Sequence, residues 1–192
     1  MKIARALDIP GEVIDIEVVG GTPAEARRLR YDALQASALR ARSAWVATGH
    51  HAEDQLETVL AALGRGAGPT GLAGMPRMRS LGSGVTLIRP LLHCSRSDAA
   101  DLCTAAGVDW CDDPGNADPH TQRGRLRRDV TPVLESMFPG VAKRVAAMTE
   151  TQSLAAIAFE GLIASTFGSD EQVRWSRESL RGLPAAVIAT EG

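Results

Sequence analysis

The passage that most narrows what this chain can fold into is "AWVAT" (Ala44 to Thr48), followed after Gly49 by "HHAEDQLETVLAALG" (His50 to Gly64). The first segment is short, apolar and suited to a strand, and the second repeats with helical period. At ~100° per residue, Ala52, Leu56, Val59, Leu60 and Leu63 share one side of that helix. His51, Asp54, Glu57 and Thr58 fall on the other. A strand running directly into an amphipathic helix belongs to the α/β class, in which ligands bind beyond the carboxyl ends of the strands. The apolar stripe is therefore expected to dock on the sheet, with the first helical turn pointing into the crevice.

Asp54 and Glu57 are like charges three residues apart, an arrangement that costs a few tenths of a kcal/mol on an isolated helix. Such a pair calls for a cation: an arginine of the protein, a metal or an ammonium ligand. Solvated acids near a helix N-terminus are the simpler alternative, since acids are favoured there. His51, Asp54 and Glu57 lie along one stripe, but HxxDxxE is a weak metal-ligand spacing.

The flanking segments extend the α/β pattern. "EVIDIEVV" (Glu12 to Val19) alternates and is β-branched, so a strand is expected. Thr22, Pro23 and Glu25 form a capping-box signature for a helix reaching about Arg42. Seven glycines and two prolines within "GRGAGPTGLAGMPRMRSLGSG" predict loop, and "VTLIRPLL" predicts a strand. A helix capped by Ser95 or Ser97 should close at Gly107. "DDPGNADP" reads as a turn, and helices follow over about Thr121 to Met137 and from Pro139 to about Ser165. The expected fold is a partial Rossmann-like parallel sheet with a helical C-terminal extension, divided as 1–137 and 138–192.

Length and charge set the remaining bounds. The 192 residues can bury a sizeable core. No run approaches the ~20 apolar residues of a membrane span and no signal-peptide pattern opens the chain, so the cytoplasm is the expected location. Cys94, Cys103 and Cys111 are too far apart for a CxxC pair, and reduced thiols are expected. Net charge is −2, which gives no global sign of a nucleic-acid binder, yet "QRGRLRR" (Gln122 to Arg128) and "ARRLR" (Ala26 to Arg30) are local basic clusters.

Taken together, "ATGHHAEDQLETVL", "GRGAGPTGLAGM", "IRPLL", "DDPGN" and "RGRLRRDVTPVL", with "EARRLRY" upstream, resemble the tRNA(Ile)-lysidine synthases of the N-type ATP pyrophosphatase (PP-loop) group. The resemblance covers about Ile3 to Glu150. It implies adenylation of the C2 oxygen of the wobble cytidine of tRNA(Ile), then displacement of AMP by the ε-amine of free L-lysine. ATP, with Mg2+, is the implied cofactor, and a homodimer is an open alternative. Asp54 and Glu57 are the implied lysine holders. His50, His51 and Arg127 are the implied catalytic groups, with the choice between the histidines open. Arg27, Arg30 and Asn116 match positions for ATP or adenylate, and Arg123 and Arg125 are assigned to tRNA. Arginine's bidentate fork suits phosphate and transition-state charge. Arg28 and Arg128 are expected to be solvated, and His93 and His120 to be ordinary loop residues.

The departures carry expectations too. The family's "SGGxDS" pyrophosphate loop does not occur in these residues, Gly115 stands for a serine, and Gly124 stands for an asparagine. The chain is accordingly expected to be a fragment of a longer synthase. Two other functions compete: a catalytically inactive remnant binding tRNA or a partner, and a 2-thiocytidine-type sulfurtransferase, which the cysteine spacing disfavours.

Overall fold

The computed structural model describes residues 2–18, 21–110 and 121–167. Its contacts divide the chain into two units that interleave in sequence, Met1–His51 with Pro76–Asp113, and Ala52–Met75 with Pro114–Gly192. This division falls at the start of the polar helix.

The first unit holds α1 (Lys2–Ala6), α2 (Pro23–Arg40), β1 (Trp45–Ala47), β2 (Met78–Gly82), β3 (Val85–Ile88) and α5 (Arg96–Ala105). Local chemistry sets both longer helices. The Thr22 hydroxyl accepts from the Glu25 amide at 3.2 Å and Pro23 opens α2. Ser95 and Asp98 exchange side-chain and backbone bonds in a complete capping box on α5, and Gly107 follows with φ +64°. Sheet order is β1-β3-β2, with β1 parallel to β3 and β2 antiparallel to it. Tyr31, Leu34 and Ala38, spaced to share one face of α2, pack with Leu81 over Val46, Val85 and Leu87.

Two sequence expectations fail in this unit. No strand forms at Glu12 to Val18; Val19 lies outside the described residues. Val13 is 75 % exposed, and Glu12 instead binds Ser37 and Arg40 of α2. β-branched residues need a paired neighbour to stay in a sheet, and none is offered here. Conversely, part of the glycine-rich loop is strand β2. Ser83 and Gly84, at φ 51° and 76°, turn it back onto β3 as a hairpin.

The second unit holds α3 (Ala52–Gly64), α4 (Pro69–Leu72), α6 (Gln122–Arg125), a π-helical turn (Leu126–Val130), α7 (Thr131–Met137) and α8 (Val141–Phe167). The apolar stripe of α3 meets α8, where the sequence reading expects the sheet: Ala52 and Leu56 pack with Ala142 and Ala146, joined by Leu60, Leu134, Val141 and Val145. Gln55, 1 % exposed, ties three segments together. Its amide nitrogen donates to the Met75 carbonyl at 3.1 Å and to Thr149 Oγ1 at 2.8 Å, and its oxygen accepts from the Met75 amide at 2.8 Å. The expected helix over Thr121 to Met137 is present but widened at its centre, where the Thr131 amide bonds Leu126 O, five residues back. Pro132 lacks an amide hydrogen and would crowd the carbonyl four residues earlier, so the wider turn relieves it. Among the described residues no helix is long and apolar enough to cross a membrane.

Candidate functional site

Asp54 and Glu57 point inward. Glu57 is 1 % exposed and Asp54 8 %, on the helix face flanked by α6 and the π turn. Two arginines from that stretch bridge both carboxylates. Arg123 donates from Nε to Glu57 Oε2 and from Nη2 to Asp54 Oδ1, both at 2.7 Å. Arg127 donates from Nε to Glu57 Oε1 at 2.7 Å, and from Nη2 to Asp54 Oδ1 at 3.0 Å and Glu57 Oε2 at 3.2 Å. Each guanidinium uses its fork, which makes these charge-assisted bonds both strong and directional.

Charge balance explains why the acids can be buried. Among the described residues two carboxylates face two guanidiniums, and the like-charge cost of the acid pair is offset. Burial opposes the charge of Arg127, but the bonds and charges of Glu57 and Asp54 outweigh it and raise its pKa. The π turn contributes to the geometry, because Arg123 lies on α6 and Arg127 within the widened turn, yet both reach the same acids. π turns of this kind recur at functional sites. Gly124 between them is buried, and its amide caps onto Thr121 Oγ1 at 2.9 Å.

The other sequence-derived candidates are placed as follows. Arg125 is exposed and lines an open groove with Gln122, Leu126, Asp129 and Val130. Arg128 pairs with Asp129 at 2.7 and 2.9 Å on the surface, a contact that lowers the Asp129 pKa. Arg28 likewise pairs with exposed Asp32. His50 and His51 close the first segment of the first unit; Nδ1 of His50 lies 2.8 Å from Thr48 Oγ1. Arg30 is exposed on α2. Asn116 and Cys111 lie outside the described residues, and Cys94 and Cys103 are free, half-buried thiols. Thus the structure brings together Asp54, Glu57, Arg123 and Arg127, while Arg27 and Arg30 stand on α2 of the first unit. Among the described residues no three His, Cys, Asp or Glu side chains converge as metal ligands.

One cluster escapes the sequence reading. Strand register sets Arg79 opposite Leu87, and the Arg89 amide bonds the Arg77 carbonyl, so Arg79, Leu87 and Arg89 share the sheet face that α2 covers. There Tyr31 meets Arg79 at 4.6 Å and Arg27 at 5.6 Å from guanidinium carbon to ring centre, within cation–π range. Arg89 is 2 % exposed and donates from Nη1 to the Pro76 carbonyl at 2.6 Å. The cluster was invisible because Arg79 falls in a segment read as loop; its signal was the two-residue spacing of Arg77 and Arg79 beside a turn. Burial alone would raise the Tyr31 pKa, but Arg27, Arg89 and Arg79 together bring it below 10.0. Tyr31 is the single tyrosine of the chain, so its ionisation can be followed by ultraviolet absorbance. We expect a midpoint below that of a free phenol, moving upward in Arg79→Gln. The sign follows from a depressed acid: its contribution to stability appears as pH rises through the folded midpoint. A midpoint unmoved by the substitution would disprove the coupling.

Comparison with known proteins places this geometry in a family. A model of the PP-loop domain matches residues 2–134. The chain is 41% identical to the tRNA(Ile)-lysidine synthase of Salinispora tropica, over 98% of this chain and 58% of the relative. With that of Salinispora arenicola it is 43% identical, over 90% and 50%; with that of Pseudomonas aeruginosa, 41% over 80% and 36%. It therefore spans 58% or less of the length of these curated relatives. Among solved structures, the U34-tRNA thiolase NcsA from Methanococcus maripaludis superposes with a TM-score of 0.60 at 18% identity, covering 78% of this chain and 53% of that one, a likeness of fold. Since the family model matches residues 2–134, well over half of the chain, the chain belongs to the PP-loop domain family.

Proposed function

We propose that this chain carries the lysine- and adenylate-handling residues of an ATP-dependent enzyme that converts the wobble cytidine of tRNA(Ile) to lysidine. The observation that carries the reading is the buried acid pair gripped by Arg123 and Arg127. The similarity to tRNA(Ile)-lysidine synthases supports it.

In this reading the C2 oxygen of cytidine attacks the α-phosphorus of ATP and pyrophosphate leaves. The ε-amine of lysine then attacks C2, the C2–O bond breaks, and AMP departs with that oxygen. His50 or His51 accepts the proton the amine loses. Asp54, the more exposed acid, meets the lysine ammonium, while Glu57 fixes the two arginines from below. By the family resemblance, Arg127 answers the charge that builds on the adenylate, Arg30 and Asn116 are assigned to the nucleotide, and Arg123 and Arg125 to the tRNA. Among the described residues no three His, Cys, Asp or Glu side chains converge as metal ligands, so the residues present do not fit a Mg2+ site and no step is routed through one. No residue is assigned to pyrophosphate, since the "SGGxDS" loop is not in this sequence.

A second reading has one observation in its favour: the acid pair is internally neutralised, as a purely structural pin would be. A non-catalytic tRNA-binding protein is compatible with that. Incubating the chain with ATP, labelled lysine and tRNA(Ile) separates the two. ATP-dependent label in the tRNA supports the ligase; tRNA bound without label supports the inert binder. In a complete relative, the change equivalent to Asp54→Asn should raise the KM for lysine about tenfold, the loss of roughly 1.4 kcal/mol of ion pairing, with little change for ATP. Equal losses for both substrates would contradict the assignment.

A further inference from the structure

The two arginine clusters of this chain differ in charge balance. In the second unit two guanidiniums meet two carboxylates. Around Tyr31 in the first unit three guanidiniums, those of Arg27, Arg79 and Arg89, gather with no ion-paired carboxylate among the described residues. The innermost is the most costly. Arg89 is 2 % exposed, its guanidinium bonds the Pro76 carbonyl and the Tyr31 phenol, and its Nε has no hydrogen-bond partner among the described residues. A buried cation is expensive unless an anion compensates it. Tyr31 senses the resulting field, as the lowered phenol pKa shows.

We propose that Arg27, Arg79 and Arg89 around Tyr31 form a seat for a phosphodiester of the RNA backbone, with Arg79 and Arg27 donating to the phosphate and Arg89 sustaining the positive potential beneath. The proposal rests on RNA being the substrate, as argued above. Three features favour backbone phosphate over other anions. Arg27 and Arg79 are exposed and lie at an open strand and helix surface, which suits a polymer passing over it better than a free nucleotide that needs enclosure. Both arginines lie over the Tyr31 ring, so the ring is not a platform for stacking a base. Arginine in place of lysine at all three positions supplies the planar fork that matches phosphate oxygens.

The test is RNA binding by the full chain, read as fluorescence anisotropy of a labelled tRNA(Ile) anticodon stem-loop across a salt series. Arg79→Gln should weaken binding about three- to tenfold near 0.1 M salt and lower the slope of log K against log salt by about 0.7–1, the effect of one lost phosphate contact. Arg79→Lys should keep the slope. Circular dichroism guards against misfolding, and Arg79 is exposed enough for both variants to fold. If the unaltered chain binds RNA and Arg79→Gln matches it in affinity and slope, this seat is disproved while the tRNA reading stands. If the unaltered chain binds no RNA, both fall. If excess ATP competes with RNA on the unaltered chain but not on Arg79→Gln, the seat is a nucleotide site and the proposal is overturned.

Discussion

Arg127→Met is expected to destabilise the second unit by about 3 kcal/mol, whereas Arg127→Met combined with Glu57→Leu should recover most of that loss. The single change leaves two acids, one of them 1 % exposed, against Arg123 alone. Breaking a buried ion pair by deleting one partner typically costs about 3–5 kcal/mol, and the 21% exposure of the Arg127 side chain puts this case at the lower end. The double change leaves Asp54 with Arg123, one charge of each sign, and fills the site with apolar volume. Glu57→Leu alone should cost less than Arg127→Met, because the surplus charge then sits on arginines whose side chains are 42% and 21% exposed and can reach water. Urea unfolding of the four proteins tests this as a double-mutant cycle. Additive single-mutant effects would show that the four groups do not act as one unit.

Gln55→Leu should cost about 3–4 kcal/mol without touching any charged group. Leucine fills similar space but leaves the Met75 amide and carbonyl without their side-chain partner, and a buried unpaired backbone group costs about 1–3 kcal/mol. Thr149 keeps its bond to the Ala146 carbonyl at 2.7 Å and loses only the Gln55 donor. Gly74 supplies an independent check. A Cβ there would lie 2.8–2.9 Å from the Gln55 amide group, and its φ of +66° strains any other residue. Gly74→Ala should therefore be strongly destabilising alone but cost only about 1–2 kcal/mol of backbone strain when Gln55 is already alanine. Equal costs in both backgrounds would mean that the amide does not set the spacing of this loop.

What could be read from residues alone was short in range. Thr22 with Glu25 announces α2, and Ser95 or Ser97 the start of α5, because a cap joins groups three residues apart; the helix after Thr48 follows from its own periodicity. A cation for Asp54 and Glu57 was legible as one of two alternatives, beside solvated acids, from two like charges on one helix face. Which cation was not. Arg123 and Arg127 lie 66 to 73 residues away, and only the packing of α6 and the π turn against α3 selects them. Strands obeyed the same rule: Glu12 to Val18 has the better β composition and stays outside the sheet, whereas Met78–Gly82 joins it because a hairpin delivers a partner. A helix closes its hydrogen bonds within its own segment; a strand, a buried ion pair and the arginines around Tyr31 depend on groups that the chain must first carry across long stretches of sequence to meet.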